Sequence, residues 1–299
     1  LLSNFSKNHR VLGVTPETIG NLAIKRGIDT IIDFYTGKVV DKIIKTRGKA
    51  TVITATNVFA HMENIHDVMK NIIRLLGPNG VFISESHYLY SLIQTLQYDT
   101  VYHEHMRYYS LHSLKFLLEM HGLEVFHAKK IPSHGGSIRV YAAKKGTWPI
   151  QKTVKKMLKM EKSVVTSRTN LLKFKNRVTL SKLQIMTLLC ILKKKGKTIY
   201  GIGAPSRAST LINYVGIDDG IINSVLEIGG SHKIGKYIPG TVIPVLGEDF
   251  LYRDQPDYAM LLSWHIADEL APKIKNKGFK GDFLIPLPTP RIVKSKDIK

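Results

Sequence analysis

The stretch TVITATNVFAHMENIHDVMKNIIRLLGPNGVFISE, residues 51–85, reads as a single strand–helix–strand unit. Thr51 to Asn57 is a short run rich in β-branched residues, and Ile65 to Leu76 repeats its apolar residues at helical spacing. Gly77-Pro78-Asn79-Gly80 is a strong stop signal, and Val81 to Glu85 begins a second strand. Strands of this kind joined by a helix predict a parallel pair covered on both faces. The alternation continues upstream, with strands at Val11–Val14 and Thr30–Phe34 and helices at Thr18–Arg26 and Val39–Thr46. Leu1 to Asn8 reads as the tail of a helix. Downstream, a helix over Leu111–His121 precedes strands at Leu123–Lys130 and Ile138–Lys144. PSHGGS joins those two strands with no helix between, which predicts an antiparallel pair. The fold class is therefore α/β, a doubly wound parallel sheet with an antiparallel end.

The second half of the chain changes character. Residues 151–195 are rich in lysine and helical in period, and are expected to form two connector helices broken near Thr179-Leu180-Ser181. A second α/β domain begins after them. Its strands are expected at Thr198–Ile202, Val225–Ile228, Tyr258–Ser263 and Phe283–Pro286. The division follows as 1–150, 151–195 and 196–299. At the start of the last domain, Gly201-Ile202-Gly203-Ala204-Pro205-Ser206-Arg207 links a strand to a helix. Such a turn can aim backbone N–H groups and a helix N-terminus at phosphate, with Glu227 at the end of the next strand placed to hold a ribose. The third glycine of the dinucleotide fingerprint is replaced by Ser206, so a turn shaped by packing alone stands as an equal reading.

Ligands of doubly wound sheets lie outside the carboxyl ends of the strands. Asn57, Glu85 and the segment 87–109 fall there. Within that segment, Asp99–Tyr109 (DTVYHEHMRYY) sets Tyr102, His103, Glu104 and His105 side by side. Neither strand nor helix geometry gives this run an apolar face, although a helical turn would bring Tyr102 and His105 together. Three readings fit: a solvated loop, a proton-handling site, and a metal site using His103 and His105 with His61 or His87. Acid–base chemistry ranks before metal because His-Glu-x-x-His is absent.

Composition limits the function classes. The chain of 299 residues is 43% hydrophobic, which suits two globular domains. One cysteine, Cys190, leaves no disulfide framework or cysteine-rich zinc module and suggests a cytoplasmic protein. The longest apolar run, Leu183–Leu192, is interrupted by Gln184 and Thr187, so no membrane partner is expected. The net charge of +21 is dispersed through every segment rather than gathered into an arginine-rich arm, which argues against a nucleic-acid partner. The chain opens on Leu1, in what reads as the middle of an element, so a preceding N-terminal region is expected. Nothing in the sequence fixes an oligomeric state.

Parallel units ending in an antiparallel pair are the late half of the methyltransferase version of this fold, and the motifs agree. NVFAHMENIHDVM, ESHYLYSLIQTLQYDTVYHEHMRYYSL, HGLEVF, IPSHGGSIRVYAA, YGIGAPSRASTLINY, SHKIGKYIPGTVIPV and DFLIPLPTPRIV together resemble the nucleotide-deoxysugar C-methyltransferases. The resemblance implies a partial class I methyltransferase domain with S-adenosyl-L-methionine as methyl donor and a Rossmann-like C-terminal domain that holds a nucleotide sugar. The substrate implied is a nucleoside-diphosphate ketosugar methylated beside its ketone. His105 corresponds to the general base, Glu104 and Tyr102 to its supporting groups, and His61 to a further active-site histidine. Thr15 stands where the family carries the acid that binds the donor ribose, with Asn57 on a neighbouring strand end. In the C-terminal domain Gly201, Gly203 and Arg207 of the turn, with Lys233 and Lys236 of the SHKIGKYIPGT loop, are expected to grip the nucleoside diphosphate through backbone N–H groups and positive charge. The family's N-terminal zinc module and glycine-rich donor turn have no counterpart in this sequence, so zinc is expected only in that module and no metal in this chain. With Thr15 neutral, a second expectation is a catalytically impaired chain that only binds a nucleotide sugar.

Overall fold

The structure, a computed structural model, describes residues 1–298. In chain order the elements begin β1 (Gly13–Thr15), α1 (Gly20–Lys25), β2 (Thr30–Ile32), α2 (Gly37–Arg47), β3 (Ala50–Thr56), α3 (Ile65–Leu75) and β4 (Leu76–His87). They continue with α4 (Leu89–Gln94), α5 (Leu111–Met120), β5 (Leu123–Ile131), β6 (Ser137–Lys144), α6 (Lys152–Lys162) and α7 (Arg168–Lys194). The last are β7 (Ile199–Ile202), α8 (Ser206–Val215), β8 (Ser224–Glu227), β9 (Val245–Gly247), α9 (Asp249–Asp254), β10 (Tyr258–Leu261), α10 (Ala267–Asn276), β11 (Asp282–Ile285) and β12 (Arg291–Val293). Two compact units emerge, one of Leu1–Ser86, Leu111–Lys129 and Ile138–Met157, the other of His87–Ser110, Lys130–Ser137 and Leu158–Lys299. The units interleave along the sequence, unlike the expected consecutive division at 150 and 195: the segment from His87 to Ser110 groups with the C-terminal residues.

The first unit holds two sheets. β1 and β2 pair in parallel from Gly13↔Thr30 to Thr15↔Ile32. A four-stranded sheet has the order β3-β4-β6-β5, with β3 and β4 parallel from Val52↔Val81 to Thr56↔Glu85. β1 and β3 each have a single strand neighbour, so the expected continuous sheet is divided between them. Thr36 caps α2 by accepting from the Val39 amide at 3.5 Å, and Val39, Val40 and Ile43 then pack with Leu75 of α3. The Gly77–Gly80 stop signal ends α3 one residue early, but not by forming a free turn. β4 already pairs at Ala50↔Leu76, and a register shift before Val52↔Val81 absorbs the extra residues.

The second unit is built on a six-stranded sheet of order β12-β11-β10-β7-β8-β9. β10 runs parallel to both β7 and β11, and β8 runs parallel to both β7 and β9, while β12 closes the edge antiparallel to β11. From β7 the order proceeds through β8 and β9 on one side and β10 to β12 on the other. The β7–β10 boundary is therefore the switch point of a doubly wound sheet, where a crevice forms outside the carboxyl ends. The helix break expected near Thr179–Ser181 lies instead in the residues between α6 and α7, where Ser167 accepts from the Asn170 amide at 3.3 Å. α7 passes through Thr179, whose hydroxyl bonds the Lys175 carbonyl at 3.3 Å, and buries Ser181.

Candidate active site

The Tyr-His-Glu-His run is a turn within the second unit. The His105 amide donates to the Tyr102 carbonyl at 3.0 Å, leaving His103 and Glu104 exposed at the corner. Tyr102 and His105 thus meet across the turn, ring centroids 4.2 Å apart. His105 Nδ1 lies 3.1 Å from the Thr100 carbonyl, which only accepts, so Nδ1 carries the proton of the neutral ring. Nε2 then accepts from the Tyr102 hydroxyl at 3.0 Å. The Thr100 carbonyl also receives the Tyr108 hydroxyl at 3.1 Å and the Tyr102 amide at 3.2 Å. Burial, aided by the negative charge of Glu104, raises the Tyr102 phenol above its ordinary pKa and keeps it a proton donor.

The residues before this turn are fixed by charge. Asp99, 0% exposed, accepts from Arg207 Nε at 2.7 Å, Arg207 Nη2 at 3.0 Å and Trp264 Nε1 at 2.7 Å. Arg207 Nη1 donates to His265 Nδ1 at 2.9 Å, and the guanidinium lies 5.0 Å from the Trp264 ring centre. Burial first, then the Arg207 charge, pushes His265 down to about 4. Nearby, Gln97 donates to the Gly135 carbonyl at 2.7 Å and accepts from His87 Nε2 at 3.1 Å. Burial pushes His87 down to about 4 as well, so it is neutral.

These contacts take the Arg207 side chain out of the expected phosphate turn. The Arg207 fork is closed on Asp99 and His265 and is not open to a ligand. Gly201 has no room for a side chain, since a Cβ would approach Val225 Cγ2 to 2.9 Å and Leu262 Cδ1 to 3.0 Å. Gly203 takes φ +83°, and its amide bonds the Leu226 carbonyl at 2.8 Å. Glu227 accepts from the Ala204 amide at 2.6 Å rather than facing a ribose, and Lys233 donates to the Ala204 carbonyl at 2.7 Å. Lys236 is exposed. Packing and internal hydrogen bonds thus account for both glycines.

The remaining expected residues lie in the first unit. Thr15 ends β1, its hydroxyl accepting from the Glu17 amide at 3.3 Å. Asn57 follows β3 at φ 55°, with its amide on the Glu85 carbonyl at 2.8 Å. Glu85, 5% exposed, accepts from Arg139 Nε at 2.7 Å. His61 is exposed at the end of the short helical turn Phe59–His61. As a seat for S-adenosyl-L-methionine, these strand ends offer a hydroxyl at Thr15, a carboxamide at Asn57 and the buried, unpartnered Ser86 hydroxyl at the end of β4. They fit its hydrogen-bonding groups but place no carboxylate at the end of β1. Among the described residues, no three metal-ligating side chains gather and no helix is long and apolar enough to cross a membrane.

Residues 132–288 match the family described as C-methyltransferase C-terminal domain, and residues 6–128 match a methyltransferase domain. C-methyltransferase NovU of Streptomyces niveus is 34% identical over 291 residues, 96% of this chain and 69% of that protein. One solved structure aligned with the chain is Burkholderia thailandensis 1,6-didemethyltoxoflavin-N1-methyltransferase with bound 1,6-didemethyltoxoflavin and S-adenosylhomocysteine. It is 16% identical at TM-score 0.36 over 48% of this chain and 64% of its own. The PH0226 protein from Pyrococcus horikoshii OT3 is 15% identical at TM-score 0.36 over 48% and 76%. Overlap that partial carries no argument about the fold. The two family matches and the identity to NovU do: the chain belongs to the C-methyltransferase family.

Proposed function

We propose that the protein transfers a methyl group from S-adenosyl-L-methionine to the carbon beside the ketone of a nucleoside-diphosphate keto-deoxysugar. The observation that carries this reading is the fixed tautomer of His105, with Nδ1 bonded to Thr100 and Nε2 left as the basic nitrogen. C-methylation beside a ketone needs a base that removes an α-proton near neutral pH, and an imidazole meets that need at an unperturbed pKa of ~6.5. His105 Nε2 takes the proton, and the Thr100 carbonyl steadies the imidazolium through Nδ1–H. Tyr102, a neutral phenol, turns its hydroxyl from Nε2 to the enolate oxygen as charge develops there. Glu104, exposed at the corner of the same turn, is assigned as a supporting group by the family resemblance. Thr15 and Asn57 hold the methyl donor at the strand ends, and that donor supplies the electrophilic carbon when bound. His61 is assigned to the active site by the family resemblance alone.

We assign methyl-donor binding to the first unit and the nucleotide end of the sugar to the second, where exposed Lys236 is available for the diphosphate. The alternative, a protein that binds a nucleotide sugar without catalysis, is favoured by neutral Thr15 and the divided sheet. A transfer assay with a methyl-labelled donor distinguishes them. Label is expected in a nucleoside-diphosphate 4-keto-6-deoxyhexose and not in the same sugar reduced at C4. Binding of the ketosugar with no transfer would favour the alternative, and equal labelling of both sugars would overturn the enolate chemistry.

A further inference from the structure

The crevice at the switch point of the six-stranded sheet is where a doubly wound domain ordinarily takes a ligand. β7 and β10 end side by side at Ile202↔Leu261, and the residues after them supply Arg207, Trp264 and His265. These groups would suit an anion: a guanidinium fork, an indole N–H and a ring that stacks on the cation. The anion they hold is Asp99 of this same chain, 108 positions from Arg207 and fully enclosed.

The segment carrying Asp99 is fastened at several further points. Arg177 of α7 donates to the Ile93 and Gln94 carbonyls, each at 3.1 Å. Leu96 and Tyr98 are buried in the core of the second unit, and the Tyr98 ring meets Tyr214 edge-on at 5.2 Å. One residue beyond Asp99 lies the Thr100 carbonyl, which receives His105 Nδ1–H. The side chain that fills the crevice is thus separated by a single peptide unit from the acceptor that decides which His105 nitrogen is protonated.

We propose that Asp99 and Arg207 are positioning residues for His105, the pair in the β7–β10 crevice fixing the Thr100 carbonyl and through it the imidazole tautomer. The purpose of this arrangement rests on the proposed role of His105 as base; its geometry does not. The switch-point crevice serves an internal carboxylate in place of a bound phosphate. A carbonyl displaced or rotated by the loss of either charge no longer selects Nδ1–H, and the ring divides between its two tautomers. Displacements on the scale of 1 Å near reacting groups lower rates by about 100-fold, so a large kinetic effect with little change in KM accompanies the loss of the tautomer.

The test is nitrogen NMR of the full chain with ring-labelled histidine, the His105 signals being assigned by their absence in His105→Gln. Wild-type protein is expected to show the single Nδ1–H tautomer at neutral pH. Arg207→Met and Asp99→Leu are expected to show mixed tautomers. Trp264→Phe, which removes only one hydrogen bond to Asp99, serves as the mild variant if either of these fails to fold and is expected to shift the tautomer balance in the same direction. The double variant Asp99→Leu/Arg207→Met replaces the buried charges with apolar groups; it should recover folding stability and still show mixed tautomers, a result that a purely structural role would not give. A single Nδ1–H tautomer retained in the folded double variant would overturn the proposal. His105→Ala assayed for α-proton exchange reports separately on the base, so failure of that reading leaves the tautomer result interpretable.

Discussion

Replacing Arg207 with methionine removes both guanidinium bonds to Asp99, at 2.7 and 3.0 Å, and leaves a carboxylate of 0% exposure bonded to Trp264 Nε1 at 2.7 Å. An uncompensated buried charge costs about 3–5 kcal/mol, against a total stability of roughly 5–15 kcal/mol for a folded domain. At about 2–4 °C per kcal/mol for a unit of 150–250 residues, the unfolding midpoint should fall by roughly 6–20 °C. Asp99→Leu should cost a similar amount, since it leaves the guanidinium, with 8% of its side chain exposed, facing His265 and the Trp264 ring. The double variant should lie close to wild type, because an apolar pair of similar volume carries no desolvation penalty. Thermal unfolding of the four proteins forms a double-mutant cycle. Single-variant losses below about 1 kcal/mol, as an exposed ion pair gives, would refute the reasoning. So would losses that simply add in the double variant.

Three further outcomes follow from particular contacts. His87 and His265 are held neutral in the folded protein down to about 4, whereas the unfolded chain takes up protons from 6.5. Stability should therefore fall as pH drops from 6.5 towards 4, and His87→Gln should flatten that slope in urea unfolding at a series of pH values; an unchanged slope counts against a buried neutral His87. Gly203→Ala forces a side chain into φ +83° with its Cβ 3.0 Å from Ser263 Oγ, and should cost about 1–2 kcal/mol in denaturant unfolding, where no loss would contradict the closed turn. Thr15→Asp places a charged acceptor at the end of β1, and should tighten donor binding ~10-fold or more by calorimetry if that position faces the ribose; an unchanged or weaker affinity would remove Thr15 from the donor site.

The strand–helix alternation was legible because apolar runs such as Val81–Glu85 and helical periods such as Ile65–Leu76 are local signals. β9 and β12, three residues each beside glycine or proline, carry too little pattern to be seen. The helix break was misplaced because Thr179 and Ser181 read as breakers. Inside α7 the Thr179 hydroxyl bonds back to the Lys175 carbonyl, while the true cap is Ser167. The pairing of Tyr102 with His105 could be read from their spacing, but the tautomer could not, since it depends on a backbone carbonyl at Thr100. Arg207 was read as a phosphate fork for the same reason. One signal was available: Arg207 is the only charged residue between Lys197 and Asp218, and Asp99 is the only acid between Ser86 and His103. Isolated charges in apolar stretches call for a buried partner. Nothing local reveals that these two are each other's.

Removal of the proton beside the substrate ketone by His105 is the step on which the proposed reaction depends. It is tested most directly by incubating the protein with a nucleoside-diphosphate 4-keto-6-deoxyhexose in heavy water and following deuterium at the α-carbon by NMR, a readout that needs no methyl transfer. The wild-type chain should exchange that proton, and His105→Ala should do so ~100-fold more slowly or worse, the usual loss for a general base. Exchange at an undiminished rate in His105→Ala would contradict the account.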